Sequence, residues 1–298
     1  MNEGPARRSR VRGSTRTVGL IGWPVEHSLS PGIHNAAFAA LGMDWVYVPM
    51  AVAPGGVREA IAGLRALGFA GANVTMPHKT ECAELLADLS DDARRLRAVN
   101  TILVGAASTS GHNTDAPGFD RFLRQDAAFD AKGRSALLFG AGGAARACAL
   151  ALARAGLASL SVAVREPSRA DPLLEALDGL ATPVTVVAFD EAEVVEADLV
   201  VNATPLGVHD EPLPLPRLVP GSVAVDLLYR PGDTPMQRSA RAAGAVAFGG
   251  LGLLLHQAAL SFELWTGRVP PMPVMSAAAL AELGDGGPST EAGGPVGR

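Results

Sequence analysis

The sequence predicts an α/β protein of two domains, and three observations carry that expectation. Strand-like and helix-like stretches alternate through most of the 298 residues, the pattern of a mainly parallel sheet with helices on its faces. The wholly apolar stretch Ala136-Leu137-Leu138-Phe139 runs straight into the glycine loop Gly140-Ala-Gly-Gly-Ala-Ala145, as a buried central strand leading into a helix does. Beyond Gly249 the alternation stops, and two apolar-rich helical stretches, Leu251–Trp265 and Val274–Leu283, follow. A chain of this length has material for one large domain or two of ordinary size.

The elements follow in order. Residues 1–16 hold five arginines and one acid, Glu3. They read as a frayed basic tail rather than a transit peptide, because the acid interrupts the pattern and a strand follows at once. Thr17–Ile21 reads as that strand. Ser30-Pro31 supplies an N-cap and a proline at the first helical position, for a helix to about Leu41. Trp45–Val52 is a strand, Val57–Leu67 a helix, Ala70–Val74 a strand and Pro77–Leu86 a helix. Ser90 caps a further helix towards Arg97, Val99–Val104 is a strand, and Phe119–Phe129 reads as a connecting helix. A second unit starts at Ser135 and places strands at Ser159–Val164, Val184–Ala188, Leu199–Asn202 and Val223–Leu227. The glycine- and proline-rich tail from Gly284 reads as disordered.

Composition excludes several classes of function. The net charge is -5, and without the first 16 residues the chain holds 20 basic and 29 acidic residues, a poor match to the basic stripe of a nucleic-acid binder. Cys82 and Cys148 both fall in helix-like segments and read as buried thiols of a reducing compartment. The six histidines show no metal-ligand spacing, so no metal is expected. No apolar stretch reaches 18 residues free of charges or breakers, so no membrane partner is expected either. The reading is a cytoplasmic protein, monomer or homodimer, whose partner is a small molecule.

The loop after Phe139 has the form G-x-G-x-x-A, which binds dinucleotides when a strand precedes it and a helix follows. Gly140 allows the tight turn, Gly142 lets the backbone approach a pyrophosphate, and Ala145 permits close packing of helix on strand. The pyrophosphate would sit on the helix N-terminus, where free amides and the dipole favour an anion. The next strand ends in Val164-Arg-Glu-Pro-Ser-Arg169. Arg165 and Arg169, four apart, are placed to clamp a ribose 2′-phosphate, and Glu166 between them is the discordant residue.

Only two residues of the chain are lysines, and one of them, Lys79, ends the segment Gly71-Ala-Asn-Val-Thr-Met-Pro-His-Lys79. Arginine holds its proton permanently, whereas a lysine can transfer one, so Lys79 reads as kept for proton transfer. Lys132, in a polar turn, reads as a solvated charge. Asn73 and Thr75 share one face of the strand that leads to Lys79. Four further polar segments lie in apolar surroundings: His27-Ser-Leu-Ser30, Ala98-Val-Asn-Thr101, Gly111-His-Asn-Thr-Asp115, and Gln257 within Gly252–Leu260. Each alone also has a structural reading: Ser30 as a cap, Asn100 and Asn113 as turn formers, Gln257 as a core amide. Together they form a hydroxyl- and amide-rich set with one amine and one carboxylate, suited to a small polyhydroxylated acid.

With these segments in view, the chain resembles the shikimate dehydrogenase family from Val18 to about Val274. The matching segments are Ile21-Gly-Trp-Pro-Val-Glu-His-Ser-Leu-Ser-Pro31, Gly71–Lys79, Ala98–Thr101, Asn113-Thr-Asp115, Gly140–Ala144, Asn202-Ala-Thr204 and Gly250-Leu-Gly-Leu-Leu-Leu-His-Gln257. The resemblance implies NADPH-dependent reduction of 3-dehydroshikimate to shikimate, a step towards chorismate and the aromatic amino acids. It implies a substrate domain of residues 17–114 plus 250–283 and a Rossmann-type NADP domain of residues 115–249. Ser28 and Ser30 would hold the substrate carboxylate, and Thr75, Asn100 and Gln257 its hydroxyls or carboxylate. Lys79 and Asp115 would meet at the reacting oxygen with Asn73 in support, and Tyr229 would lie near the substrate. Gly140, Ala141, Gly142, Gly143, Ala144, Arg165, Arg169, Thr204, Leu227 and Gly250 would bind the cofactor. Ala116 stands where the family usually has Gly, Val164 where it often has Asn, and Gly249 where Asp is frequent. The alternatives are a quinate or aminoshikimate dehydrogenase, with NAD as a possible cofactor, or a non-catalytic nucleotide-binding regulator on the same fold.

Overall fold

The structure is a computed structural model that describes residues 11–284. Two six-stranded sheets organise it. The first comprises β1 (Arg16–Gly22), β2 (Trp45–Ala51), β3 (Gly71–Val74), β4 (Asp88–Leu89), β5 (Thr101–Val104) and β6 (Thr109–His112), in the order β2-β1-β3-β5-β6-β4. β1 pairs in parallel with β2 and β3, whereas β5 runs antiparallel to β3 and β6. This sheet is therefore mixed at one end.

Helices cover both of its faces. α1 (Ser30–Ala40), α9 (Leu251–Thr266) and α10 (Met272–Gly284) pack on one, against Val18, Leu20, Trp45 and Tyr47. α2 (Val57–Ala66) and α3 (Lys79–Leu85) cover the other, against Ile21, Val74 and Ile102. Inward residues of β1 thus alternate between two cores, as the period of a strand requires. Trp265 donates its indole N–H to the Ile102 carbonyl at 3.0 Å and so fastens α9 to the sheet. The short α4 (Asp91–Leu96) is capped by Ser90, whose hydroxyl accepts from the Ala93 amide, as expected from sequence.

The second sheet comprises β7 (Ser135–Phe139), β8 (Ser159–Val164), β9 (Val184–Ala188), β10 (Leu199–Asn202), β11 (Val223–Asp226) and β12 (Val246–Phe248). Its order is β12-β11-β10-β7-β8-β9 and every pairing is parallel. This is the doubly wound Rossmann arrangement, and its strand order reverses between β7 and β10, where such sheets bind ligands. α6 (Gly143–Arg154), α7 (Asp171–Leu177) and α8 (Pro235–Ala242) flank it, and α5 (Asp115–Gln125) leads in from the first sheet.

Several expected boundaries move, each for a local reason. Arg16 belongs to β1, with its guanidinium over the Trp45 ring, and Ser14 and Thr15 donate to the Asp44 carboxylate. The basic tail therefore gives way to structure before residue 16; residues 1–10 and the tail from 285 lie outside the described residues. The connecting helix starts at Asp115 rather than Phe119, because Asn113 Oδ1 accepts from the Asp115 amide at 3.0 Å. It stops before Phe129, where Ala128 adopts a φ of 47°. α3 begins at Lys79, since Met76–His78 form a turn closed by the His78 amide on the Thr75 carbonyl. The strand expected from Val99 begins at Thr101, and β4, β6 and β12 are short strands that the sequence reading did not anticipate.

Candidate active site

Lys79 is the first residue of α3, and its own carbonyl accepts the Val99 amide at 2.9 Å, which brings Asn100 beside it. Its Nζ donates to Asp115 Oδ2 at 2.7 Å; the two side chains are 26% and 13% exposed. Asp115 opens α5, where the free amides and dipole of a helix N-terminus favour a carboxylate. Its other oxygen, Oδ1, accepts from Asn100 Nδ2 at 2.8 Å. Asn100 is fixed in turn, because its Oδ1 accepts the Thr114 amide at 2.8 Å and the Thr101 hydroxyl at 3.0 Å. The carboxylate is thus held on one side by an oriented amide and presents its other oxygen to the amine.

A pocket of about 190 Å³ opens over this pair. Ser28, Ser30, Asn73 and Thr75 line it from the β1 and β3 ends, and Asn100 and Gln257 from below and from α9. Tyr229 closes one side, the residue being 42% exposed. Ala144 of α6, Leu227 just after β11 and Gly250 just before α9 also line it. The structure thus brings every expected substrate-side residue around one cavity.

The detail departs from expectation at two of them. Ser30 does not cap α1: Leu29 holds the cap position, and the Ser30 amide instead donates to Ser28 Oγ at 3.2 Å. The Ser30 hydroxyl is thereby left for other partners. Asn73 makes no hydrogen bond to Lys79 or Asp115. Its Oδ1 accepts the Tyr47 hydroxyl at 2.9 Å, and its Nδ2 faces the Asn100 carbonyl and the Thr101 and Ser261 hydroxyls at 3.0–3.1 Å. With its amide hydrogens so engaged, Asn73 braces the Asn100–Thr101 segment more than it offers groups to a ligand. Tyr47 and Ser261 were missed by the sequence reading. Ser261 had a signal, since it lies four residues beyond Gln257 on one face of α9; Tyr47, inside an apolar strand, had none.

The expected dinucleotide loop lies at the switch point of the second sheet. Gly140 has φ +97°, and a Cβ there would come within 3.0 Å of Thr204 Cγ2 and 3.2 Å of the Ala203 carbonyl. Only glycine meets both demands. Gly142 holds the cap position of α6 with no side-chain cap bond, so the first amides of the helix stay available to an anion. Ala145 is fully buried against the sheet. A cleft of about 700 Å³ is lined by Gly140, Ala141, Gly142, Arg165, Arg169 and Thr204, among others, and its donors and size fit a dinucleotide. Gly143 lines neither cavity; it serves as the first residue of α6. At Gly250 a Cβ would fall 2.0 Å from the Leu227 carbonyl, so that crossing of chains requires glycine.

The two arginines that follow β8 do not stand as a free clamp. Arg169 Nε donates to Glu166 Oε2 at 3.4 Å, while Arg165 lies over the Phe189 ring at 5.8 Å. Of the departures from the family pattern, Ala116 is a buried helical residue with ordinary backbone and Val164 is buried at the end of β8. Among the described residues no group of His, Cys, Asp or Glu could hold a metal ion, and no helix is long and apolar enough to cross a membrane.

Comparison with known proteins agrees with this geometry. Residues 20–102 match the family model described as shikimate dehydrogenase substrate binding domain, and residues 250–280 that of the shikimate 5′-dehydrogenase C-terminal domain. Residues 134–229 match a model described as NADP oxidoreductase, coenzyme F420-dependent. A shikimate dehydrogenase (NADP(+)) of Moorella thermoacetica is 46% identical over 291 residues, covering 94% of this chain and 98% of that protein. Among solved structures, a shikimate dehydrogenase in complex with NADP+ superposes with a TM-score of 0.86 at 35% identity, covering 92% of this chain and 98% of that one. The Thermus thermophilus shikimate 5-dehydrogenase in complex with NADP(H) and shikimate gives 0.81 at 38%, covering 90% and 100%. A Corynebacterium glutamicum quinate dehydrogenase in complex with NAD gives 0.83 at 33%, covering 90% and 99%. On whole-chain identity and coverage, this chain belongs to the shikimate dehydrogenase family.

Proposed function

We propose that this protein catalyses the reversible NADPH-dependent reduction of 3-dehydroshikimate to shikimate, with Lys79 and Asp115 as its acid–base pair. The observation that carries the reading is the placement of that pair. It lies at 2.7 Å in a pocket lined from the first sheet and by Ala144 of α6 and Leu227 just after β11, next to the cleft of the glycine loop. NADPH, when bound there, supplies the hydride.

The chain's own residues bind, orient and move the proton. The Ser28 and Ser30 hydroxyls donate to the substrate carboxylate, and Thr75, Asn100 and Gln257 read its ring hydroxyls. Lys79 Nζ donates a proton to the carbonyl oxygen as negative charge develops on it, and takes the proton back in the oxidative direction. Asp115 holds the ammonium in place and shares the proton. Positioned acid–base catalysis of this kind is worth about 10²–10⁴-fold, and an ammonium aimed at the developing oxyanion adds electrostatic stabilisation. Gly140 and Gly142 would leave the turn open for the pyrophosphate, and Arg165 and Arg169 would hold the 2′-phosphate, Arg169 by giving up its exposed pair with Glu166. Leu227, Gly250 and Ala144 form the apolar wall that excludes water from the reacting face.

In this reading residues 17–114 and 250–283 make the substrate domain and 115–249 the nucleotide domain. One chain supplies every residue of the site, so the chemistry itself calls for no second subunit. A diffusible acid and a diffusible cofactor suit a cytoplasmic enzyme. The test is loss of NADPH absorbance on adding 3-dehydroshikimate, run beside shikimate and quinate with NADP+ and NAD+. Turnover of 3-dehydroshikimate supports the reading. Turnover of quinate alone transfers the same machinery to a quinate dehydrogenase, and no turnover of any of them refutes it.

A further inference from the structure

Between α4, on the side of the first sheet, and α6 of the second, five arginines line a third cavity of about 530 Å³. Arg94, Arg95 and Arg97 come from α4 and the residue after it, on the side of the first sheet, and Arg146 and Arg154 come from α6 of the second. Four of the five are engaged. Arg94 pairs with Asp91 at 3.3 Å, Arg97 with Glu175 at 3.0 Å, and Arg154 with Asp92. Arg95 donates to the Ala176 and Asp178 carbonyls at 3.0 and 2.9 Å, beside the end of α7.

Arg146 differs. It is half-buried and has no hydrogen-bond or ion-pair partner among the described residues. Burial, and then the charge of Arg97, pull its pKa below the usual arginine value. A guanidinium keeps its proton under such strain, so the cost stays as unfavourable charge energy until a counter-ion arrives. A planar fork of donors on each of two neighbouring arginines, one just after α4 and one on α6, suits a tetrahedral oxyanion with several acceptor atoms. The dinucleotide cleft is a separate cavity; Pro172 is the one residue common to the two linings.

We propose that Arg146 and Arg97 form a phosphate-binding site between α4 and α6, distinct from the cofactor cleft. Because its walls belong to the two halves of the molecule, a bound phosphate ties α4 to α6 and α7. Arg146 leads the contact, since it has no internal partner to give up, and Arg97 turns from Glu175 towards the anion.

Calorimetric titration of the full chain with inorganic phosphate, against chloride at matched ionic strength, tests this. The titration is repeated with saturating NADP+ and on Arg146→Gln and Arg97→Gln, each checked for folding by its melting temperature. One-to-one binding that persists under NADP+ and weakens roughly tenfold or more in Arg146→Gln supports the site, since a charge-assisted contact is worth at least that factor. If Arg146→Gln does not fold, the same weakening in Arg97→Gln carries the test. Absence of binding, unchanged affinity in the folded variants, or loss of binding under NADP+ overturns it, the last by assigning the phosphate to the cofactor cleft.

Discussion

Tyr47 donates its hydroxyl to Asn73 Oδ1 at 2.9 Å, both side chains being buried, and that bond fixes which way the Asn73 amide points. With the oxygen turned to Tyr47, the Asn73 nitrogen faces the Asn100 carbonyl and the Thr101 hydroxyl. Asn100 in turn donates to Asp115 Oδ1. A continuous polar chain therefore runs from the aromatic core under α1 to the carboxylate beside Lys79.

Tyr47→Phe removes one end of that chain and leaves Asn73 Oδ1 buried without its donor. The expected cost is about 1–3 kcal/mol of stability, the penalty for an unsatisfied buried acceptor. It is read as a lowered Tm, with turnover falling less than tenfold because Asn100 keeps its contact with Asp115. An unchanged Tm would show that the hydroxyl contributes nothing.

Lys79→Met leaves the pocket shape and deletes both the proton donor and the positive charge. Turnover should fall at least about a hundredfold with a much smaller change in substrate affinity. Asp115→Asn keeps an acceptor for Asn100 and removes the ion pair, so it too should lose turnover rather than binding. Near-normal turnover in folded Lys79→Met removes the lysine from the chemistry.

Which residues meet was largely legible in the sequence, while how they meet was not. Lys79, Asn100, Asp115 and Gln257 stand out as polar groups in apolar stretches, and each returns in the pocket lining. Partner choice depends on tertiary geometry that spacing does not encode. Ser30 has the residue type and the following proline of an N-cap, yet Leu29 takes that place because Ser28 satisfies the Ser30 amide. Asn73 lies next to the lysine segment in sequence and is turned to Tyr47 by a hydrogen bond across 26 residues. The glycine loop and the strand order of the second sheet were the most readable features, because strand, turn and helix there obey one local rule. β4 and β6 lack the apolar run that marks the equally short β5, β10 and β11, and β12 has only three residues.

His34 supplies a pH dependence of stability. Its ring is fully buried, stacked on Tyr47 at 4.6 Å, and neither nitrogen has a partner among the described residues. Burial lowers its pKa from 6.5 to about 3. Between these values the unfolded chain binds a proton that the folded one does not, so stability rises with pH across this window. The contribution is complete above about pH 6.5 and is lost as the pH falls, at about 1.4 kcal/mol per unit for this group. His34→Leu keeps an apolar side chain in the cage and removes the titration. The stability difference between variant and parent, measured by denaturant unfolding from pH 7.5 to 4.5, should therefore move in favour of the variant as the pH drops. A difference that stays constant over that range would show that the buried ring does not set the acid limb.

Cofactor choice rests on Arg165, Glu166 and Arg169. Glu166 and Arg169 form an ion pair at 3.4 Å with side chains 66% and 73% exposed, so solvent screens it and it holds Arg169 only weakly. A 2′-phosphate carries more charge than the Glu166 carboxylate and competes for the same guanidinium, while Arg165, resting on Phe189, approaches without an acid to displace. Two charge-assisted contacts are worth about 1.5–3 kcal/mol each when well formed, which outweighs one exposed pair. NADP should therefore exceed NAD in kcat/KM by at least roughly tenfold, and Arg165→Ala should remove most of the difference. Glu166→Gln, which frees Arg169 and deletes the repelling charge, should widen the preference. The measurement is kcat/KM for both cofactors in the three proteins. A parent ratio near one, or an Arg165→Ala variant that loses NAD and NADP activity in equal measure, would mean that the arginines hold the loop rather than the phosphate.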